Sequence, residues 1–242
     1  MKTALITGST RGIGRATGLA LLQRGCAVAF HYRQDHQAAE QLYAELDRAG
    51  YSGRFQLLCA DLSAPEGYHE LVSGLRPPFE ALDYLIHNAA QTARGRLEDL
   101  TPDVWAAVLH TNLTAPLFLT QRCAHRMKQG GAILFLGAVM GQYPHALSIP
   151  YGVSKAGIHY LTRSLVKEFA EKHVRVNCVC PGFVETDWQK KKPENIRRSI
   201  ESKIALHRFA APEEVAELCC SVLENPYMNG SVVNIDGGYC YQ

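Results

Sequence analysis

The chain has 242 residues, 47% of them hydrophobic and 20% charged, and its formal net charge is +2. That balance suits an ordinary globular core under a solvated surface and removes any global electrostatic case for nucleic-acid binding. No apolar run is long enough to span a bilayer, and Met1–Thr7 runs straight into a strand-like stretch without a signal-peptide pattern, so a cytoplasmic protein with no membrane partner is expected.

Short apolar runs alternate with amphipathic stretches throughout. In chain order the pattern predicts a strand at Thr3–Ile6, a helix at Ile13–Arg24, a strand at Ala27–His31 and a helix at Gln37–Ala49. A strand at Phe55–Ala60, a helix at Pro65–Ser73 and a strand at Tyr84–His87 come next, then one long helix at Pro102–Lys128. The second half reads as a strand at Ala132–Leu136, a helix at Tyr151–Lys172, a strand at Arg175–Val179, a helix at Pro212–Leu223 and a strand at Val232–Ile235. Strand followed by helix, repeated, predicts βαβ units and hence a parallel sheet covered on both faces. Gly25, Gly50, Arg76-Pro77-Pro78 and Gly130-Gly131 supply turns between elements, and no linker divides the chain. The expected fold is α/β, a single Rossmann-type, doubly wound domain over residues 1–242, with a seven-stranded parallel sheet flanked by helices. The polar, basic stretch Phe183–Arg208, with Lys190, Lys191, Lys192, Arg197, Arg198 and Lys203, is long for a connection. It reads either as a mobile substrate lid or as a solvated helical excursion.

Eight cysteines show no C-x-x-C and no zinc-type pairing with the ten histidines. Cys219 and Cys220 are adjacent, and Cys178 and Cys180 are taken to face opposite ways along a strand, so buried free thiols and no metal are expected. The sequons at Asn112 and Asn229 carry no weight without secretion.

Gly8, Gly12 and Gly14 lie in Thr7-Gly8-Ser9-Thr10-Arg11-Gly12-Ile13-Gly14, between the first strand and the first helix. Glycine there permits the tight turn and a close approach of backbone to a pyrophosphate, which the helix N-terminus also attracts. Downstream stand Asp61-Leu62 after the third strand, Asn88-Ala89-Ala90 after the fourth, Thr111-Asn112-Leu113, a Y-x-x-x-K made by Tyr151 and Lys155, Pro181-Gly182, and Asn234-Ile235-Asp236-Gly237-Gly238. In this order the set resembles the short-chain dehydrogenase/reductase family over the whole chain, with Ala90 where that family's N-A-G turn has glycine. The resemblance implies a nicotinamide dinucleotide held by Gly8, Ser9, Arg11, Gly12, Ile13, Gly14, Arg33, Asp61, Leu62, Asn88, Ala89, Ala90, Tyr151, Lys155, Pro181, Gly182, Val184 and Thr186.

An NAD-specific site usually carries a carboxylate at the end of the second strand. Here that strand ends His31-Tyr32-Arg33 with no acid until Asp35, and Arg11 and Arg33 lie where the family reads a 2′-phosphate, so NADP(H) is the expected cofactor. Tyr151 and Lys155 are one helical turn apart on one face. A neighbouring ammonium favours tyrosinate, which predicts a phenol made more acidic than usual, able to give a proton to a carbonyl or take it back. The resemblance adds Asn112 as the residue positioning a water linked to the lysine. It also implies a serine thirteen residues before the tyrosine, where this chain has Ala138. Three readings stay open: another donor (Ser148, Tyr143, Gln142 or His145) replaces the serine, the substrate polarises itself, or the protein binds NADP(H) with little catalysis.

Arg208–Ala216 and the Asp-Gly-Gly tail look most like β-ketoacyl-acyl carrier protein reductases. That likeness implies NADPH-dependent reduction of a 3-oxoacyl thioester, with a sugar or other small alcohol dehydrogenase as the alternative. An acidic carrier protein would be drawn by basic residues near the mouth, for which the lid lysines, Arg126, Lys128 and Lys172 are candidates. A homotetramer, or a homodimer, is the family expectation. Leu109, Leu113, Leu117, Leu161 and Leu165 suit either a subunit contact or an intrachain core.

Overall fold

The computed structural model describes residues 1–190 and 192–241; Lys191, one of the lid lysines, lies outside them. Strands β1 (Thr3–Ile6), β2 (Ala27–Tyr32), β3 (Phe55–Cys59), β4 (Leu82–His87), β5 (Met127–Leu136), β6 (Arg175–Pro181) and β7 (Val232–Ile235) form one seven-stranded sheet, ordered β3-β2-β1-β4-β5-β6-β7. Every pairing is parallel. Helices are α1 (Gly12–Gln23), α2 (His36–Arg48), α3 (Pro65–Ser73), α4 (Pro102–Leu109), α5 (Ala115–Cys123), α6 (Ile149–Glu168), α7 (Asp187–Lys190), α8 (Glu194–Glu201) and α9 (Pro212–Glu224).

Strands β1, β2, β4 and β6 are almost wholly buried on both faces, as near-continuous apolar runs require, whereas the edge strands β3 and β7 are only partly covered. In β1, Ala4 and Ile6 join the core with Leu21, Leu22, Val215 and Cys219 from α1 and α9. Leu5 points the other way, into the core with Leu71, Leu119 and Ile158 from α3, α5 and α6. The winding reverses beside β1: β2 and β3 lie on one side, β4 to β7 on the other. At such a switch point the loops leaving the strand ends part, opening a crevice at the carboxyl edge. Gly18 fixes the seat of α1, since a Cβ there would fall 2.1 Å from the Phe30 ring. Gly18→Ala is expected to destabilise the fold by about 1–3 kcal/mol through overpacking, read as a lower urea midpoint.

Four expectations need correction. The long helix Pro102–Lys128 is α4, a π-helical stretch His110–Thr114 and α5, ending at Cys123. Pro116 has no N–H to offer the carbonyl of Asn112 four residues earlier, so the regular ladder cannot pass through. Next, β5 starts at Met127 rather than Ala132, and the Gly130-Gly131 turn survives as a register irregularity within it, with Gly130 at φ +78°. Third, Lys128 is therefore inside β5, and it pairs with Asp83 at 2.8 Å. Arg126, Lys128 and Lys172 all sit at the amino edge of the sheet, one length of β5 (roughly 30 Å) from the carboxyl-edge crevice. They do not flank the mouth. Finally, Cys178 and Cys180 share a face of β6, because side chains two apart on a strand point the same way; their sulfurs are 3.6 Å apart. All eight cysteines are free, but Cys59 is exposed and Cys240 only partly covered.

The described residues of 183–208 contain α7 and α8, and they are anchored. Phe183, Ile204 and Phe209 form a small core of their own, Val184 bridges Ala210, and Arg197 pairs with Glu185 at 2.5 Å. Among the described residues no helix is long and apolar enough to cross a membrane.

Candidate active site

The crevice beside β1 is a cleft of about 890 Å³. Its floor is the glycine turn between β1 and α1, where Gly8 and Gly12 adopt φ +61° and +57°, in the left-handed region that favours glycine. The turn is tied down from three sides. Asn88, after β4, donates its amide to the carbonyls of Thr7 (3.0 Å) and Gly8 (2.6 Å). The backbone N–H groups of Asn88 and Ala89 donate to the Thr7 hydroxyl, each at 3.0 Å. Below, His31 Nδ1 accepts from the Gly8 N–H at 3.0 Å while Nε2 donates to the Ala60 carbonyl at 2.9 Å. Burial holds that imidazole down at about 4, so it stays neutral as this tautomer requires.

Ser9 is fully buried: its hydroxyl donates to the Ile6 carbonyl and accepts from the His31 N–H. Gly14 lies behind the wall too, where a Cβ would fall 2.5 Å from Asn88 Nδ2 and 2.7 Å from the Gly8 carbonyl. Neither lines the cleft. Gly8, Arg11, Gly12, Ile13, Arg33, Asp61, Leu62, Asn88, Ala89, Ala90, Tyr151, Lys155, Pro181, Gly182, Val184 and Thr186 do. The room above this glycine turn fits a dinucleotide's phosphates, and a Cβ at Gly8 would fall 2.9 Å from Ala89 Cα, so glycine is what lets the turn close against the loop after β4.

Charges gather where β2 ends. Arg11 reaches Asp35 at 3.1 Å and Asp187 at 3.8 Å, and Asp35 also caps α2 by accepting from the Ala38 N–H. The Arg33 guanidinium donates to Gln34 at 3.4 Å, and no carboxylate lies within ion-pairing distance of it among the described residues. For Asp61, burial works against the charge, yet the Ser63 N–H and hydroxyl, Arg33 and His31 hold its carboxyl below the usual range.

At the other end α6 presents Tyr151 and Lys155 one turn apart. The Lys155 ammonium lies 5.6 Å from the Tyr151 ring centroid and donates to the Leu136 carbonyl at 2.5 Å. Burial lowers Lys155 to about 8. Burial also raises the Tyr151 phenol, helped by Cys180. This reverses the expected acidification: desolvation of the phenolate outweighs the attraction of the nearby ammonium. Trp188 of α7 meets the Tyr151 ring edge-on at 6.3 Å.

Asn112 stands outside the cleft wall. In the π-helical stretch it exchanges hydrogen bonds with the backbone of Gln91 (2.8 and 2.9 Å) and donates to Ser154 Oγ at 3.0 Å; Ser154 in turn donates to the Tyr151 carbonyl at 2.7 Å. It thus couples the loop after β4 to the turn of α6 that carries Tyr151.

Ala138 lines the cleft with only its methyl group to offer. Of the four donors considered as substitutes, Ser148 alone shares that wall. Gln142 already accepts from Asn234 at 2.9 Å.

Sequence reading missed the lining contributed by Thr10, Thr92, Arg94, Met140, Trp188 and Gln189. They come from the glycine turn, the loop after β4, the turn after β5 and α7, and only topology brings them together. It also missed that His159 Nε2, Cys178 Sγ and Cys180 Sγ converge within 4.8 Å of one another beneath Gly137, with Cys180 3.0 Å from His159. Burial, then Lys155 and Arg163, depress that imidazole to about 4.

A doubly wound sheet with a glycine cradle at its switch point and a tyrosine–lysine pair in the same crevice defines a nucleotide-binding α/β protein. A family model described as "Enoyl-(Acyl carrier protein) reductase" matches residues 8–240. The 3-oxoacyl-[acyl-carrier-protein] reductase FabG of Thermotoga maritima is 33% identical over 98% of this chain and 97% of its own. The acetoacetyl-CoA reductase of Shinella zoogloeoides is 31% identical over 98% of both. The crystal structure of the angucycline C-6 ketoreductase LanV with bound NADP superposes with a TM-score of 0.93 at 26% identity, over 100% of this chain and 96% of that one. The chain belongs to the short-chain dehydrogenase/reductase family, a family of oxidoreductases.

Proposed function

We propose that this protein is an NADPH-dependent carbonyl reductase that converts a 3-oxoacyl thioester, on acyl carrier protein or coenzyme A, to the 3-hydroxyacyl product. The observation that carries the reading is the placement of Tyr151 and Lys155 on one face of α6, in the crevice that holds the glycine turn. Bound NADPH supplies the hydride. Tyr151 gives its hydroxyl proton to the carbonyl oxygen, and a phenol raised by burial is reliably protonated for that task. Lys155, its ammonium fixed by the Leu136 carbonyl, keeps donors for the nicotinamide ribose and a positive charge beside the phenol. Asn112 orients α6 through Ser154. Ser148 takes over the oxygen contact that Ala138 lacks. The alternative of a cofactor-binding protein with little catalysis draws on Ala138 alone, whereas Tyr151, Lys155 and Asn112 are all retained.

Cofactor choice is set by Arg33, uncommitted at the end of β2, with Arg11 beside it. Arg33→Ala is expected to weaken NADPH binding on the order of tenfold to a hundredfold, as for loss of a hydrogen bond to a charged group, and to spare NADH. Paired fluorescence titrations read the difference. The pH profile has a defined sign. Lys155 loses its charge as pH rises through about 8, so kcat/KM for reduction should fall above that pH in one ionisation. Lys155→Met should abolish the step.

The exposed Leu117, Phe118, Val153 and Tyr160 on α5 and α6 support a subunit contact and hence a homotetramer or homodimer. We place the protein in the cytoplasm. The direct test is NADPH oxidation over a panel of carbonyl compounds including acetoacetyl-CoA. Turnover of the thioester supports the reading; oxidation of none of them defeats it.

A further inference from the structure

Most cations of the lid and its surroundings are already neutralised. Lys190 faces Asp187 at 4.0 Å, Arg197 pairs with Glu185 at 2.5 Å, Arg198 with Glu194 at 3.1 Å and Arg208 with Glu214 at 2.6 Å. Near the lid, Arg94 and Lys192 line the cleft and differ. Arg94, on the loop after β4, and Lys192, between α7 and α8, belong to different segments of its wall. Among the described residues neither has a carboxylate within ion-pairing distance.

The Arg94 segment is held in place, because the Gly95 N–H donates to the Leu147 carbonyl at 3.2 Å and so ties it to the turn preceding α6. Lys192 is half-buried, and burial together with Arg94 holds its ammonium below the usual lysine range. Beside them His145 has a buried Nδ1 with no hydrogen-bond partner. Burial lowers its imidazole, and the charged groups that act on it, Arg94, Lys192 and Lys203, are all cations. Like charges gathered at a cleft wall without counterions cost free energy that an anionic ligand returns. This pair is separate from Arg11 and Arg33, which stand where β2 ends, and from Arg126, Lys128 and Lys172 at the opposite edge of the sheet.

We propose that Arg94 and Lys192 form a binding site for an anionic group, a phosphate or a carboxylate, carried by the substrate at a distance from its reacting carbonyl. The inference rests on the carbonyl-reductase reading for the identity of the ligand as substrate, but not for the existence of the site. An anion held by both cations orients the carbonyl toward Tyr151, and an uncharged analogue loses that effect.

The test uses the full-length protein saturated with NADP⁺ for binding and with NADPH for turnover. Two matched probe pairs separate the sources of charge: acetoacetyl-CoA against acetoacetyl-N-acetylcysteamine for phosphate, and levulinate against methyl levulinate for carboxylate. Calorimetry is expected to show one charged probe binding about tenfold or more tighter than its uncharged partner, the preference largely lost in Arg94→Gln and in Lys192→Gln. The pair that shows it identifies the anion. NADPH affinity should be the same in both variants. Equal binding within both pairs overturns the proposal, as does a preference that survives both substitutions. Weakened NADPH binding in the variants also overturns it, since the cations would then serve the cofactor. Charge-dependent binding without reduction of any probe leaves the anion site standing and removes the reductase reading.

Discussion

Replacing Tyr151 with phenylalanine is expected to lower kcat/KM for carbonyl reduction by about 10²–10⁴, the range for loss of a positioned general acid. NADPH affinity should hardly change. The phenol is the only proton donor on α6 that both lines the cleft and stands one turn from Lys155. Its ring is packed against Trp188 and its turn is braced by Ser154 and Asn112, so removing one oxygen leaves the architecture intact. Stopped-flow single turnovers with saturating NADPH separate this loss from binding. A Tyr151→Phe protein that reduces acetoacetyl-CoA at the unaltered rate would mean the proton comes from elsewhere.

The second large effect concerns the missing serine. Ser148→Ala is expected to cost on the order of 10²–10³ in kcat, the scale for one preorganised donor at a developing oxyanion. Ser148 is almost fully buried, lines the cleft and caps the start of α6, three residues before Tyr151, without using its side chain as the cap. Ala138→Ser should restore much of that loss when combined with Ser148→Ala. A double-mutant cycle tests the substitution of roles directly, because two residues serving one oxygen are strongly non-additive. Additive effects would assign Ser148 a purely structural part. A kcat that Ala138→Ser raises from nothing in the otherwise unaltered chain would favour the reading of a cofactor-binding protein with little catalysis.

Much of the fold was legible because strand burial leaves a local signature. Thr3–Ile6 and Val232–Ile235 are apolar runs bounded by turn residues, and both strands lie where the pattern set them. The glycine turn and the Tyr151–Lys155 spacing were legible for the same reason: each is a local geometry with a local cause. What escaped depends on long-range placement. Pro116 breaks the ladder at Asn112, but the amphipathic pattern runs on unbroken across it. Lys128 to Gly131 read as the end of a helix and a turn, yet pairing of Met127 with Leu82 draws them into β5. Arg126 and Lys128 stand at the start of a parallel strand, hence at the amino edge and away from the mouth, whichever residue opens β5. The acidity expected of Tyr151 failed since spacing reports the neighbour and not the desolvation. The same holds for charge in the lid: the row of lysines and arginines is plain in the chain, whereas which of them lack a carboxylate depends on Glu185, Glu194 and Asp187.

The central claim is that a nicotinamide dinucleotide lies across the carboxyl edge of the sheet with its reactive end beside Tyr151. Trp188 borders that position, so titration of the protein with NADPH while following tryptophan emission tests it most directly. Saturable quenching at one nucleotide per chain, abolished in Trp188→Phe and weakened in Arg33→Ala, is the predicted result. No saturable change, or quenching that persists in full without Trp188, would contradict it.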